Sequence, residues 1–129
     1  MLLLPHVYDA GALIALEASD RRMWSAYRKE TAEGRRVVVP TAVIAQAWRR
    51  GARQPLLARV AATVETPALG LATAKAAGEL LAASGTSDVV DAVVVVTAMA
   101  VGAIVWTSDP DDLHALASAV NRPLVCRPV

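Results

Sequence analysis

The stretch SDVVDAVVVVTAMAVGAIVWTSDP, residues 87–110, decides the fold. Its valines favour a strand, yet the apolar run over residues 89–101 is too long for one, and it is flanked by capping residues, Thr86 and Ser87, and stopped by Gly102. The reading is a buried helix over 89–101. A β-branched strand over residues 103–106 follows, and then a helix over 109–119 with Pro110 in its first turn.

Outward from this segment the same alternation repeats. Residues 2–8 are strand-like and end at Asp9; residues 12–18 make a short helix; Asp20 caps a longer one to about Glu33, with Met23, Trp24 and Tyr27 on one stripe and Gly34 at its end. Residues 36–39 form a second strand stopped by Pro40, after which Thr41 is placed to cap a helix running to Arg50 and stopped by Gly51. Residues 55–62 and 72–83 are two further helices, the second closed by Gly85; residues 63–66 fit an edge strand and residues 124–127 a last strand. Strands alternating with helices predict an α/β fold in three layers, a central, mostly parallel sheet with helices on both faces. In such sheets ligands bind at the carboxyl ends of the strands.

The 129 residues fit one domain, spanning 1–129, with no repeat, low-complexity tract or linker to divide them. The most apolar stretch, residues 92–106, is too short to span a bilayer and is interrupted by Thr97. Residues 1–5 lack a basic leader region, so a cytoplasmic protein without membrane attachment is expected. Cys126 is the single cysteine and has no internal disulfide partner; it reads as a buried small hydrophobe. His6 and His114 lie at no zinc spacing and read as structural.

Net charge is only +1, but its distribution is uneven. Ten of the 13 Lys and Arg residues fall between Arg21 and Arg59, whereas residues 76–121 hold no cation and six acids: Glu79, Asp88, Asp91, Asp109, Asp111 and Asp112. The basic half is either an RNA-phosphate surface or a set of solvated helix faces.

The acids carry the chemistry. Asp9 directly follows the first strand and Asp109 follows the 103–106 strand by two residues, so both lie at one edge of the sheet. Asp88 and Asp91 share one helical face, their Cβ atoms about 5–6 Å apart. Favourable interaction with the helix dipole is one account of that pair. It does not account for Asp91, whose neighbours Val89, Val90, Ala92 and Val93 turn a charge toward an apolar interior. Four carboxylates without basic partners repel one another unless a divalent cation sits among them, and hard oxygen ligands select Mg²⁺ or Mn²⁺ over zinc. Such an ion activates water and shields charge on a phosphate displaced in line, which is phosphodiester hydrolysis.

Three pieces of the chain, VYDAGALIAL from Val7, DVVDA from Asp88, and TSD from Thr107 with the following Pro110-Asp111-Asp112-Leu113, resemble in order and spacing the PIN-domain nucleases, and within them the VapC-like ribonuclease toxins. The resemblance extends over almost the whole chain. It implies a PIN-like fold in which Asp9 and Asp91 ligate Mg²⁺, Asp109 completes the acidic cluster, Asp88 is a further member, and Thr107 and Ser108 line the same pocket. It also implies endonucleolytic cleavage of RNA, neutralisation by a small cognate antitoxin, and homodimers. One position departs from the pattern: where the family usually carries a Glu in the helix after the second strand, this chain has Gln46. An amide binds metal poorly but still hydrogen-bonds a water or a phosphate.

Arg49 and Arg50 are candidate substrate contacts, and Trp48 beside them either stacks a base or an antitoxin side chain or packs at the core edge. Apolar stripes on helices 10–18 and 41–50 suit capture of an amphipathic antitoxin helix. Gln46 motivates a second reading, a degenerate PIN domain that binds RNA or antitoxin without cleaving. A phosphoacceptor receiver domain is disfavoured, because Asp9 is followed by Ala10 and no Lys follows Lys75; a dinucleotide fold fails because Asp9-Ala10-Gly11 opens no Gly-rich turn.

Overall fold

The computed structural model describes residues 3–129; Leu2, the first residue of the expected first strand, lies outside them. In chain order the elements are β1 (His6–Tyr8), α1 (Ala10–Glu17), α2 (Arg21–Ala32), β2 (Val37–Val38), α3 (Thr41–Ala47), a 3₁₀ turn at Gly51–Arg53, α4 (Pro55–Thr63), α5 (Leu71–Ser84), α6 (Val89–Val101), β3 (Ile104–Thr107), α7 (Pro110–Ser118) and β4 (Val125–Pro128). The strands form one sheet in the order β2-β1-β3-β4, every pairing parallel. The expected α/β class holds, and the sheet is wholly rather than mostly parallel among the described residues. Residues 63–66 reach its β2 edge through a parallel bridge between Val38 and Glu65.

The order of strands fixes the layers. The β1-to-β2 crossover runs toward one edge and the β2-to-β3 and β3-to-β4 crossovers toward the other, so right-handed connections carry α1 and α2 over one face and α5 to α7 over the other, while α4 packs beside α1 and α2 and α3 touches both α1 and α6. Coverage on both faces leaves β1, β2 and β3 buried throughout, whereas β4 at the edge is largely exposed. On β1 the period-2 alternation sends His6 and Tyr8 toward α2, where Tyr8 Oη donates to the buried Glu30 carboxylate, His6 Nδ1 meets the same carboxylate, and Trp106 Nε1 donates to His6 Nδ1. Burial, and then Glu30, hold the Tyr8 phenol above its ordinary range. His6 is thus part of a buried polar knot joining β1, β3 and α2.

Several boundaries differ from the sequence expectation. Asp88, not Thr86 or Ser87, caps α6, its Oδ1 accepting the Asp91 N–H at 2.9 Å. Pro40 rather than Thr41 precedes α3 as its cap, with no side-chain bond. That helix stops at Ala47, three residues before Arg50, because the buried Gln54 takes over its end: Nε2 donates to Ala47 O at 2.9 Å and Oε1 accepts the backbone N–H groups of Arg49 and Arg50. Gly51 opens the 3₁₀ turn instead of ending the helix. Cys126 is half-buried, not buried. Among the described residues no single helix is long and apolar enough to cross a membrane.

Candidate functional site

Strand register brings the first acid into place. Tyr8 pairs with Trp106, and Asp9 N donates to Trp106 O at 3.1 Å, so Asp9 emerges from β1 beside Thr107 at the end of β3. Asp9 then caps α1: Oδ1 accepts from Gly11 N at 2.9 Å, while Oδ2 accepts from Thr107 Oγ1 at 2.5 Å. Thr107, fully buried, also accepts the Asp109 N–H on the same hydroxyl at 2.9 Å. One side chain thereby ties the carboxylate of Asp9 to the backbone that carries Asp109.

Gly11 allows this approach. A Cβ built there would meet Ser108 Oγ at 2.5 Å and Ser108 Cβ at 2.8 Å, so a side chain at this position would push α1 away from the 107–109 segment. Ser108 accordingly lies against Gly11 at the start of α1 and is exposed to solvent. Asp109 precedes α7, and its side chain makes no bond to the helix's N–H groups, which leaves its carboxylate unengaged there.

Asp88 and Asp91 arrive from α6. Asp88 is exposed and Asp91 half-buried. Burial first, and then the charges of Asp88, Asp9, Asp112 and Asp109 in that order, push the Asp91 carboxyl up to about 6. Every charge acting on Asp91 is acidic, so carboxylates from three separate segments do gather at the carboxyl edge of the sheet, and among the described residues no cation offsets them there. Asp112, one turn into α7 from Asp109, belongs to this group and was missed in the sequence, where it reads as an ordinary first-turn acid favoured by the helix dipole. Burial, and then Asp9, also raise the Cys126 thiol to about 11, which keeps it protonated and unreactive near neutral pH.

The donor chemistry fits a hard divalent cation: acidic oxygens, mutual repulsion, and no basic partner. The coordination itself is not assembled, because no three carboxylate, imidazole or thiol groups among the described residues stand close enough to hold one ion. Asp9 has both oxygens committed to Gly11 and Thr107, and Asp88 has one committed to Asp91 N.

Gln46 is exposed near the end of α3, and among the described residues its side chain bonds to none of the acids; its backbone carbonyl accepts from Arg49 Nε at 3.0 Å. Arg50 pairs with Glu17 at the far end of α1, and Gln54 Nε2 donates to the other Glu17 oxygen at 2.8 Å. Those bonds, Gln54's first, hold Glu17 below the usual carboxylate range. Since α1 has eight residues, Arg50 stands roughly 12 Å from Asp9 along the helix. Trp48 is exposed rather than packed into the core.

No family model matches the sequence, and no curated protein matches it. Solved structures do. The chain superposes on VapBC2 from Rickettsia felis, a complex bound to a DNA fragment from its promoter, with a TM-score of 0.71 at 13% identity over 98% of this chain and 99% of that one. DNA-bound VapBC from Salmonella typhimurium matches with a TM-score of 0.65 at 16% identity, over 98% of each chain. PAE2754 from Pyrobaculum aerophilum matches with a TM-score of 0.60 at 19% identity, over 95% of this chain and 89% of that one. At these identities the likeness establishes the fold alone, and it agrees with the PIN-like α/β fold expected from the sequence.

Proposed function

We propose that this chain, built on the VapC-like PIN fold, is a metal-dependent endoribonuclease and the toxin of a toxin–antitoxin pair. The observation that carries the reading is the meeting of Asp9, Asp91 and Asp109 at one sheet edge, with Asp88 and Asp112 adding to the field and Asp91 pushed to about 6 with no cation to relieve it. Asp9, Asp91, Asp88 and Asp109 would hold Mg²⁺ or Mn²⁺. Such an ion supplies charge neutralisation for a phosphodiester and a water acidic enough to attack it near neutral pH.

The chain's own residues do the positioning. Gly11 N–H and the Thr107 hydroxyl both donate to the Asp9 carboxylate and fix its orientation. Asp91 has to release its proton before it ligates, so activity rises through about pH 6. Ser108 offers a hydroxyl, and Gln46 a neutral amide, to phosphate oxygens; the amide avoids adding a further negative charge. The acids lie outside the clefts lined by Pro40, Thr41 and Thr97 or by Leu80, Met99 and Val120, on an open edge that suits a polymer rather than an enclosed small molecule.

The partner in this reading is a small antitoxin, supported by the two VapBC complexes among the structural matches. Its amphipathic segment would lie along α1 and α3, where Ile14 and Trp48 are exposed. A homodimer acting in the cytoplasm completes the proposal. A pull-down from the native host and a sizing column test both assemblies; a lone monomer in every preparation counts against them.

A second reading, RNA or antitoxin binding without cleavage, is favoured by Gln46 and by the absence of an assembled three-ligand set among the described residues. The deciding experiment incubates host RNA with purified protein in Mg²⁺, Mn²⁺ or EDTA, alongside Asp9→Asn and Asp91→Asn. Discrete fragments that need metal and vanish in both variants support the nuclease. Intact RNA with a folded, metal-binding protein supports the second reading.

A further inference from the structure

The solvent face of α2 presents Arg21, Arg22, Ser25, Arg28 and Lys29, spaced i, i+1, i+4, i+7 and i+8, and all five are exposed. The stripe holds four cations, no acid and no apolar side chain. Among the described residues the ion pairs join Arg35 to Glu33, Arg36 to Glu65, Arg50 to Glu17 and His6 to Glu30, so none takes a cation from this face. On the α4 side the stripe borders a cleft of about 640 Å³, with Arg21, Trp24 and Arg28 on one wall and Leu56 and Arg59 on the other. The Arg28 guanidinium lies 5.5 Å from the centre of the Trp24 ring, and Tyr27 Oη to Thr63 Oγ1 at 2.5 Å fastens α2 to α4 beneath.

The placement works against the helix. Arg21 and Arg22 occupy the first turn of α2, which holds no acid, where the positive end of the dipole disfavours cations. The Asp20 cap offsets part of that cost, yet two arginines in the first turn are a choice that helix stability alone does not ask for. We propose that the α2 face and the Arg59 cleft form the binding track for the backbone of single-stranded RNA, remote from the acids. The inference rests on the RNA reading above and names the surface that holds the substrate.

Two observations favour RNA over an acidic protein. The cleavage edge is a cluster of carboxylates that repels phosphates, so affinity for a polyanion has to come from elsewhere on the molecule, and this face gathers three arginines and a lysine that join none of the ion pairs among the described residues. Protein-docking surfaces centre on apolar anchors and are depleted of charge at their core, whereas here the exposed stripe is cationic and polar, and apolar side chains, Trp24 and Leu56, enter only in the cleft beside it. Arginine forks match phosphate oxygens, and an indole edge in the cleft suits a stacked base. Ser19, at the cleft mouth, follows α1, whose length puts it about 15 Å from Asp9, a span that a few nucleotides of extended strand cover.

The test is fluorescence anisotropy of a labelled single-stranded RNA oligonucleotide with the full chain in EDTA, at several salt concentrations. Arg21→Gln, Arg28→Gln and Arg59→Gln together should weaken binding at least about tenfold and lower the slope of log K against log salt by about 2, the release expected from three lost phosphate contacts on a single strand. Removing charge elsewhere, with Arg36→Gln and Arg122→Gln, should leave the slope in place. Ser25→Glu, which keeps every arginine, should also weaken binding. An unchanged slope in the triple variant, no RNA binding by the parent at low salt, or poly-glutamate displacing RNA from this face at equal or lower concentration overturns the proposal. Cleavage lost while track-dependent binding persists sinks only the nuclease reading, and cleavage with track-independent binding sinks only the track. Circular dichroism confirms the helices in each variant, and Arg21→Gln should leave thermal stability equal or higher.

Discussion

Thr107 puts one hydroxyl in a fully buried position, donating to Asp9 Oδ2 and accepting from Asp109 N. Its replacement by the near-isosteric valine leaves the packing and deletes both bonds. Thr107→Val should therefore keep the fold, cost about 1–3 kcal/mol in urea unfolding from the stranded buried groups, and lower metal affinity or RNA cleavage by roughly 10- to 100-fold. Equal cleavage in the two proteins would remove Thr107 from the site. Gly11 gives a prediction of opposite sign to intuition. Alanine in a helix is normally worth about 1 kcal/mol over glycine, but here the Cβ would strike Ser108 at 2.5 Å and 2.8 Å. Gly11→Ala should destabilise by about 1–3 kcal/mol, as overpacking does, and reduce cleavage by moving α1 off the 107–109 segment; a raised midpoint would contradict the close approach. At this scale the sequence was legible wherever an acid lacked a reason to be where it was. Asp91 among valines announced itself, whereas Asp112 looked like any acid at a helix start, and Glu30 sat in a charged run that reads as solvated although its carboxylate is buried against Tyr8 and His6.

Among the elements, α6 was readable to the residue because its length exceeded a strand and Gly102 adopts the left-handed φ of +68° that ends it. The end of α3 was not, since it is decided by a residue seven positions on. Gln54 satisfies both donors and its acceptor within one turn, binding Glu17, Ala47 O and the N–H groups of Arg49 and Arg50, and so turns the chain out of the helix where local propensity would continue it. Gln54→Leu has nearly the same volume and none of these bonds. It should cost about 1–3 kcal/mol and raise hydrogen exchange at the Arg49 and Arg50 amides more than at β1 or β3. Uniform exchange across the chain would assign Gln54 to general packing instead. The same logic explains the missed caps: the helix begins at Val89 as read, and Asp88, directly before it, takes the capping role from Thr86 and Ser87 by accepting the Asp91 N–H.

For the molecule as a whole, alternation gave the class and the sheet edge, but the order β2-β1-β3-β4 rests on pairings far apart in sequence. That order is what collects charges from β1, α6 and β3 into one electrostatic unit, and the unit has a consequence for stability. Asp91 holds its proton up to about pH 6 in the folded chain against an ordinary 3.8 once unfolded, so between those values the native state binds more protons. Stability of the metal-free protein must then fall as pH rises from about 4 to about 6 and level off above, the reverse of a salt-bridged aspartate. A divalent cation bound to the ionised cluster stabilises by mass action, and does so more at pH 7 than at pH 5, where Asp91 is still protonated. Thermal melts in EDTA and in excess Mg²⁺ across this range should converge at the acid end and separate toward neutrality. Asp91→Asn should flatten the metal-free profile and close most of the gap. Melts that run parallel in both conditions, or an Asp91→Asn profile that keeps its slope, would mean that the acids at the sheet edge neither repel one another enough to matter nor gather around an ion.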